Sequence, residues 1–150
     1  SDTATREALD TIPPNGAELS NATVINDSVV KVTFQGADSL DIFAYDVMRK
    51  QGSSNFQLAQ RILFDNPGGS FTVYDTLNTA KDRLCYQILT QDSCLNTVPS
   101  DTFCPVQLNG KPKNQANQLS WTPFRGYPVD SQYVLRASGN GYDTIARLGP

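Results

Sequence analysis

An all-β fold is predicted for this chain by three observations. Turn-forming residues interrupt it at intervals of about ten residues, the segments between alternate apolar and polar side chains, and helix signals are weak almost everywhere. Ten Gly and nine Pro, with many Ser, Thr, Asn and Asp, supply the interruptions.

In chain order, Pro13 and Pro14 lead in extended backbone to a first edge strand over residues 17–25. Residues 28–35 put Val30, Val32 and Phe34 on one face, and residues 42–49 put Phe43, Tyr45 and Val47 in phase. A turn over residues 51–55 precedes a fourth strand over 56–64, which Asp65-Asn66-Pro67-Gly68-Gly69 closes. Phe71 and Val73 alternate in a short fifth strand. Leu84, Tyr86, Ile88 and Thr90 form the inward face of a sixth, and residues 97–104 return beside it as the seventh. Seven short strands over roughly 90 residues is the count of a small β-sandwich.

Residues 105–150 read as the start of a second copy. A shift of 87 positions lays Val32-Thr33-Phe34 over Leu119-Ser120-Trp121 and Val47-Met48-Arg49 over Val134-Leu135-Arg136. One deletion later, Phe56 falls over Tyr142 and Arg61 over Arg147. The copy stops after its fourth strand, so Trp121, Tyr133 and Leu135 are expected to form an inner face that other strands must cover, and the chain is expected to be part of something longer. Residues 1–10 have no apolar period and read as a linker or the end of a preceding module.

The 150 residues are 39% hydrophobic and 18% charged, with a net charge of -3 and no His. Seven Phe and six Tyr supply a core, which argues against disorder. No apolar run approaches the roughly 18 residues of a membrane span. Scattered Lys and Arg form no basic stripe, so a nucleic-acid partner is not expected. No basic, apolar leader opens the sequence, so a secretion signal is expected to be absent or already removed. The lack of His removes the commonest general base and metal ligand; the expectation is a chain without catalysis, cofactor or metal. Asp38, Asp41 and Asp46 suggest a carboxylate cluster, but Asp41 and Asp46 fall on opposite faces of a strand and read as solvated acids. Cys94 has no His to activate it as a nucleophile. Phe34, Phe43, Tyr45, Phe71 and Tyr86 could line a sugar cleft, yet all fall on inward faces and read as core. Tyr127 lies in the loop Phe124-Arg125-Gly126-Tyr127-Pro128 and is the aromatic candidate for a contact residue, with a turn anchor as its plainer reading.

Leu119-Ser120-Trp121-Thr122-Pro123 followed by Tyr133-Val134-Leu135-Arg136 resembles the second and third strands of the fibronectin type III superfamily. In the first copy, Leu84-Cys85-Tyr86-Gln87-Ile88 through Pro99-Ser100 resembles its last two strands. Phe34 in place of the core Trp and Leu84 in place of the corner Tyr depart from the pattern. A narrower resemblance is to repeats of Bacteroidetes surface proteins associated with gliding motility and type IX secretion. It rests on Cys85-Tyr86, Asp92-Ser93-Cys94-Leu95-Asn96, Pro99-Ser100, Cys104 and Asn117-Gln118-Leu119-Ser120-Trp121.

The resemblance implies an immunoglobulin-like β-sandwich over residues 11–104 and half of a second over 105–150. It also implies a non-enzymatic spacer, scaffold or adhesive module of a secreted or cell-surface bacterial protein, whose partners are neighbouring modules, surface or secretion proteins, or glycans. Alternatives are an accessory region of a secreted polysaccharide-degrading enzyme and a protein-binding module using edge-strand addition. Asp followed by Ser or Thr and a small or aliphatic residue resembles the O-glycan acceptor of exported Bacteroidetes proteins, which makes Thr3, Thr11, Ser28, Ser39, Thr76 and Thr144 candidates. The plainer reading is that such pairs are turn formers. Asn21-Ala22-Thr23 and Asn26-Asp27-Ser28 match the N-glycosylation sequon, in a bacterial protein by chance. If the last two strands of the first copy pair about a turn between Cys94 and Leu95, Cys85 and Cys104 are opposite and form a disulfide; Cys94 with Cys104 is the rival pairing. A bridge would place the chain in an oxidising compartment.

Overall fold

The structure is a computed structural model that describes residues 11–64 and 67–149. All its regular elements are antiparallel strands: β1 (Glu18–Asn26), β2 (Val29–Gln35), β3 (Ile42–Gln51), β4 (Gln57–Leu63), β5 (Ser70–Thr76), β6 (Leu84–Asp92), β7 (Thr97–Pro99), β8 (Leu108–Lys113), β9 (Ala116–Trp121), β10 (Gln132–Ser138) and β11 (Gly141–Leu148). The sequence reading of 1–10 as a linker or the end of a preceding module lies outside the described residues.

Alternation sorts the first seven strands into two sheets that share one core. A three-stranded sheet runs β1-β2-β5 and a four-stranded sheet runs β4-β3-β6-β7. Val30, Val32 and Phe34 of β2 face Leu84, Tyr86 and Ile88 of β6 and Tyr45 and Val47 of β3 in one buried cluster. Phe34 stacks on Phe71 with ring centroids 5.1 Å apart and meets Tyr45 edge-on at 5.4 Å, so an aromatic contact spans the two sheets. The Tyr45 hydroxyl accepts the Ala37 N–H at 2.9 Å, which satisfies the one polar atom this ring brings inside.

Two expectations fail on β3. Phe43 is 44% exposed, because the β3–β6 register slips between Ile42 and Ala44 and Ile42 takes the core position instead. Asp46 is buried rather than solvated: its cross-strand neighbour Arg61 reaches over it with two bonds of 2.6 and 2.7 Å.

A second charged group ties the sheets together. Buried Asp75 of β5 accepts from Arg49 of β3 at 2.7 and 2.9 Å and from the Tyr86 hydroxyl of β6 at 2.8 Å. The carboxylate therefore belongs to one sheet and both its donors to the other. Leaving it unpaired inside the core would cost several kcal/mol, so the network selects one offset between the sheets.

Residues beyond 104 form two hairpins, β8–β9 and β10–β11, each a two-stranded sheet. They repeat β1–β4 in detail. Shifting β2 by 87 residues gives the first residue of β9, and the same shift of β3 gives the last of β10. The β3–β4 register slips between Val47 and Met48, and the β10–β11 register slips between Val134 and Leu135, again 87 residues on. The paired Asp46 and Arg61 are matched by the paired Tyr133 and Arg147, where the guanidinium lies 5.7 Å from the ring centroid. Trp121 stands in the place of Phe34 and donates to Gln132, in the place of Tyr45, at 3.1 Å. It is Gln132, not Tyr133, that bonds the indole; Tyr133 carries Arg147 against its ring, is 56% exposed, and with Leu135 borders the same cleft as Trp121.

Burial, and then the bond to Asp75, push the Tyr86 hydroxyl well above the ordinary tyrosine range; burial also raises Tyr45 against the opposing Ala37 bond. An unfolded tyrosine ionises near pH ~10, so above that pH the unfolded chain holds fewer protons than the folded one and stability falls. Tyr86→Phe should flatten this alkaline fall in a plot of urea midpoint against pH. At neutral pH it should cost about 2 kcal/mol for the lost bond to a charged acceptor. An alkaline slope unchanged in the variant would assign the fall to other groups.

Candidate functional site

Of the residues singled out by sequence, Cys85, Cys104 and Tyr127 come together at one place, the segment that links β7 to β8. β7 pairs with β6 through Gln91↔Thr97, Thr90↔Val98 and Leu89↔Pro99. That register sets Cys85 one residue away from Cys104. Ser100 absorbs the difference: its Oγ accepts the Ile88 N–H at 2.9 Å, its N–H donates to the Ile88 carbonyl at 2.8 Å, and pairing resumes one residue on at Tyr86↔Phe103. Cys85 and Cys104 then lie side by side and form the disulfide, with sulfurs 2.03 Å apart. Cys94 lies exposed in the β6–β7 turn, outside the bridge.

The bridged Cys104 pairs in turn with Arg125, through bonds of 2.7 and 3.1 Å between their backbones. This lays the 123–128 loop against the end of the first unit, where Phe103, Phe124 and Tyr127 pack with ring centroids 4.9 to 6.1 Å apart. Gly126 is required here, since a Cβ at that position would come within 2.8 Å of both the Phe103 and Phe124 rings. Tyr127 is 54% exposed and also lines a cleft of about 470 Å³ with Glu18, Leu19, Asp101 and Phe103. Its ring is at once a packing residue and an accessible one.

Gln107 completes the joint, and periodicity gave no sign of it. Its side chain is buried, accepts the Leu84 N–H at 3.2 Å, and donates to the carbonyls of Asp82, at 2.7 Å, and Thr79. Its own N–H donates to Thr122 Oγ1 at 2.9 Å, and Thr122 N–H returns to its carbonyl at 3.1 Å. One glutamine thus closes the open backbone of the β5–β6 connection and simultaneously anchors the strand that enters β8. A polar residue in this setting is indistinguishable by sequence from a solvated loop residue, because its partners lie more than twenty positions away.

The glycan-acceptor candidates do not gather. Thr3 lies outside the described residues. Thr11 is exposed, and Ser28 is exposed in the β1–β2 turn with its N–H on Asn26 Oδ1. Ser39 is half-buried and its hydroxyl accepts the Asp41 N–H. Thr76 and Thr144 are exposed but lie in β5 and β11, so the turn-former reading does not describe them. Among the described residues no group of three or more His, Cys, Asp or Glu could hold a metal, and no helix is long and apolar enough to cross a membrane.

Reduction of Cys85–Cys104 is expected to lower stability by about 3 kcal/mol, read as the difference in urea midpoint with and without reductant. Gln107→Ala should cost about 2 to 3 kcal/mol, because it strands buried backbone groups. It should also speed hydrogen exchange at the Leu84 amide; exchange there unchanged would show that water replaces the side chain at no cost.

No protein-family model, no curated protein and no solved structure matches this chain.

Proposed function

We propose that the chain is a tandem, fibronectin type III-like segment of a secreted or cell-surface protein, acting as a non-enzymatic spacer or scaffold. The observation that carries the reading is the repeat joined by a packed junction. The strands and the register slip of β3–β4 recur 87 residues on, and the Cys104–Arg125 bridge, Gln107 and three aromatic rings hold the two units together. The strand order supports a fibronectin type III-like sandwich, with the first, second and fifth strands in one sheet and the fourth, third, sixth and seventh in the other. Units in series joined without a loose linker make a semi-rigid arm, which suits the task of carrying a binding part away from a surface. The disulfide supports an oxidising location. Neighbouring modules, surface proteins or glycans are the partners this role implies. A second role, binding another protein by strand addition, is favoured by the edges of β9 and β10 that no strand covers among the described residues.

Two measurements test the proposal. Small-angle scattering of the oxidised chain should give a radius of gyration clearly above the roughly 15 Å of a compact 150-residue domain; a value near 15 Å would overturn the arm. In protein taken from its native source, a thiol reagent should label Cys94 alone, whereas labelling at Cys85 or Cys104 would overturn the oxidising location.

A further inference from the structure

The face of β2 and β3 that carries Phe34 and Tyr45 is sealed, and the corresponding face of β9 and β10 is open. In the first unit β5 pairs along β2 and β6 along β3, and both rings are fully buried. In the second, β9 pairs with β8 alone and β10 with β11 alone among the described residues. The edges of β9 and β10 that correspond to the covered edges of β2 and β3 are therefore unpaired, as are the outer edges of β8 and β11, and β9 and β10 flank a cleft of about 170 Å³ whose lining includes Leu108, Trp121, Gln132, Tyr133, Val134 and Leu135. Trp121 is only half-buried and Leu108 is 63% exposed. Unpaired edges beside an apolar cleft are a template for strand addition.

We infer that this cleft is an acceptor for three strands with the pattern of residues 70–99, which cover β2 and β3 in the first unit. The inference rests on the tandem-repeat reading. The first strand of the segment adds antiparallel to β9, as β5 does to β2, and the second adds antiparallel to β10, as β6 does to β3. Register is set by analogy with the first unit. Phe71 lies opposite Phe34 and Ile88 opposite Val47, so the segment places an apolar side chain opposite Trp121 and another opposite Val134. The space matches as well, since a larger ring at 121 than at 34 is offset by a smaller side chain at 132 than at 45. A second copy is a poorer occupant, because one edge-to-edge contact would pair a single strand and leave the other edge and the indole open.

Trp121 is the only tryptophan of the chain, which makes its fluorescence a direct report on the cleft. The probe is a polypeptide with the sequence of residues 67–104, which contains no tryptophan, carries Cys94→Ser, and has its two remaining cysteines oxidised. It is added to the 150-residue chain and, in a second arm, joined after its last residue so that weak intermolecular affinity cannot hide the effect. The expected result in the joined form is a shift of Trp121 emission to shorter wavelength, loss of acrylamide quenching, and slowed amide exchange in both β9 and β10. With the free probe the same changes should saturate at one probe per chain; a free probe that exchanges into the first unit and leaves the indole unchanged overturns the inference for the separate segment. A joined form with Trp121 still quenched, or protection of only one of the two strands, overturns it altogether. So does a chain that buries Trp121 by self-association without the probe. Extended scattering with an unburied Trp121 defeats this inference alone, whereas compact scattering defeats the semi-rigid arm and leaves the cleft to be judged by Trp121.

Discussion

A carboxylate inside a hydrophobic core is costly unless its partners are fixed, and Asp75 makes that cost a constraint on the whole first unit. Its donors, Arg49 and Tyr86, stand on two strands of the opposite sheet, so a slip of either sheet by one residue would leave a buried charge alone. Hydrophobic contacts do not discriminate so sharply. Val30, Val32 and Phe34 would find apolar neighbours in several offsets, and the edge-on contact of Phe34 with Tyr45 adds only about 0.5–1.5 kcal/mol of orientation preference. Area burial drives the sheets together; the Asp75 network decides where they stop.

The same division of labour appears at the end of the unit. The disulfide holds the last segment beside β6, but it leaves the path of the chain beyond Cys104 free. Direction is set by short polar bonds: Cys104 with Arg125, Gln107 with the β5–β6 connection, Thr122 with Gln107. Phe103 and Phe124, next in the chain to the Cys104–Arg125 pair, pack with Tyr127 beside it. A covalent bridge with a hydrogen-bonded collar is stiffer than either, because the bridge limits how far the chain can open and the collar limits how it can turn.

Comparing the two halves separates what a strand pair needs from what it tolerates. The backbone slip after Val47 and after Val134 is kept, while the pair across the strands changes from an ion pair to a cation over an aromatic ring. On the inner face an aromatic pair becomes an indole bonded to an amide. Both substitutions keep a charged or polar group satisfied where the geometry places it, which is the condition that backbone register imposes. Different chemistry therefore serves one architecture.

Local pattern alone determined a good deal. The alternation of Leu84, Tyr86, Ile88 and Thr90 matches the buried face of β6 because a paired strand obeys a period of two. The offset of 87 residues aligned the strands of the second half because repeated sequence folds into repeated backbone. The Cys85–Cys104 pairing came from register once two strands were taken to be neighbours, although the slip at Ser100 that brings them level is not a feature of either cysteine. What tertiary structure alone decided lies at positions whose partners are distant in the chain. Phe43 turned outward because of a slip against β6, Asp46 became buried because Arg61 covers it, and Gln107 became a structural residue because three backbone groups of another segment needed it. None of these changes the period of its own strand. Each depends on which surface arrives opposite, and that is settled only when the sheets have packed.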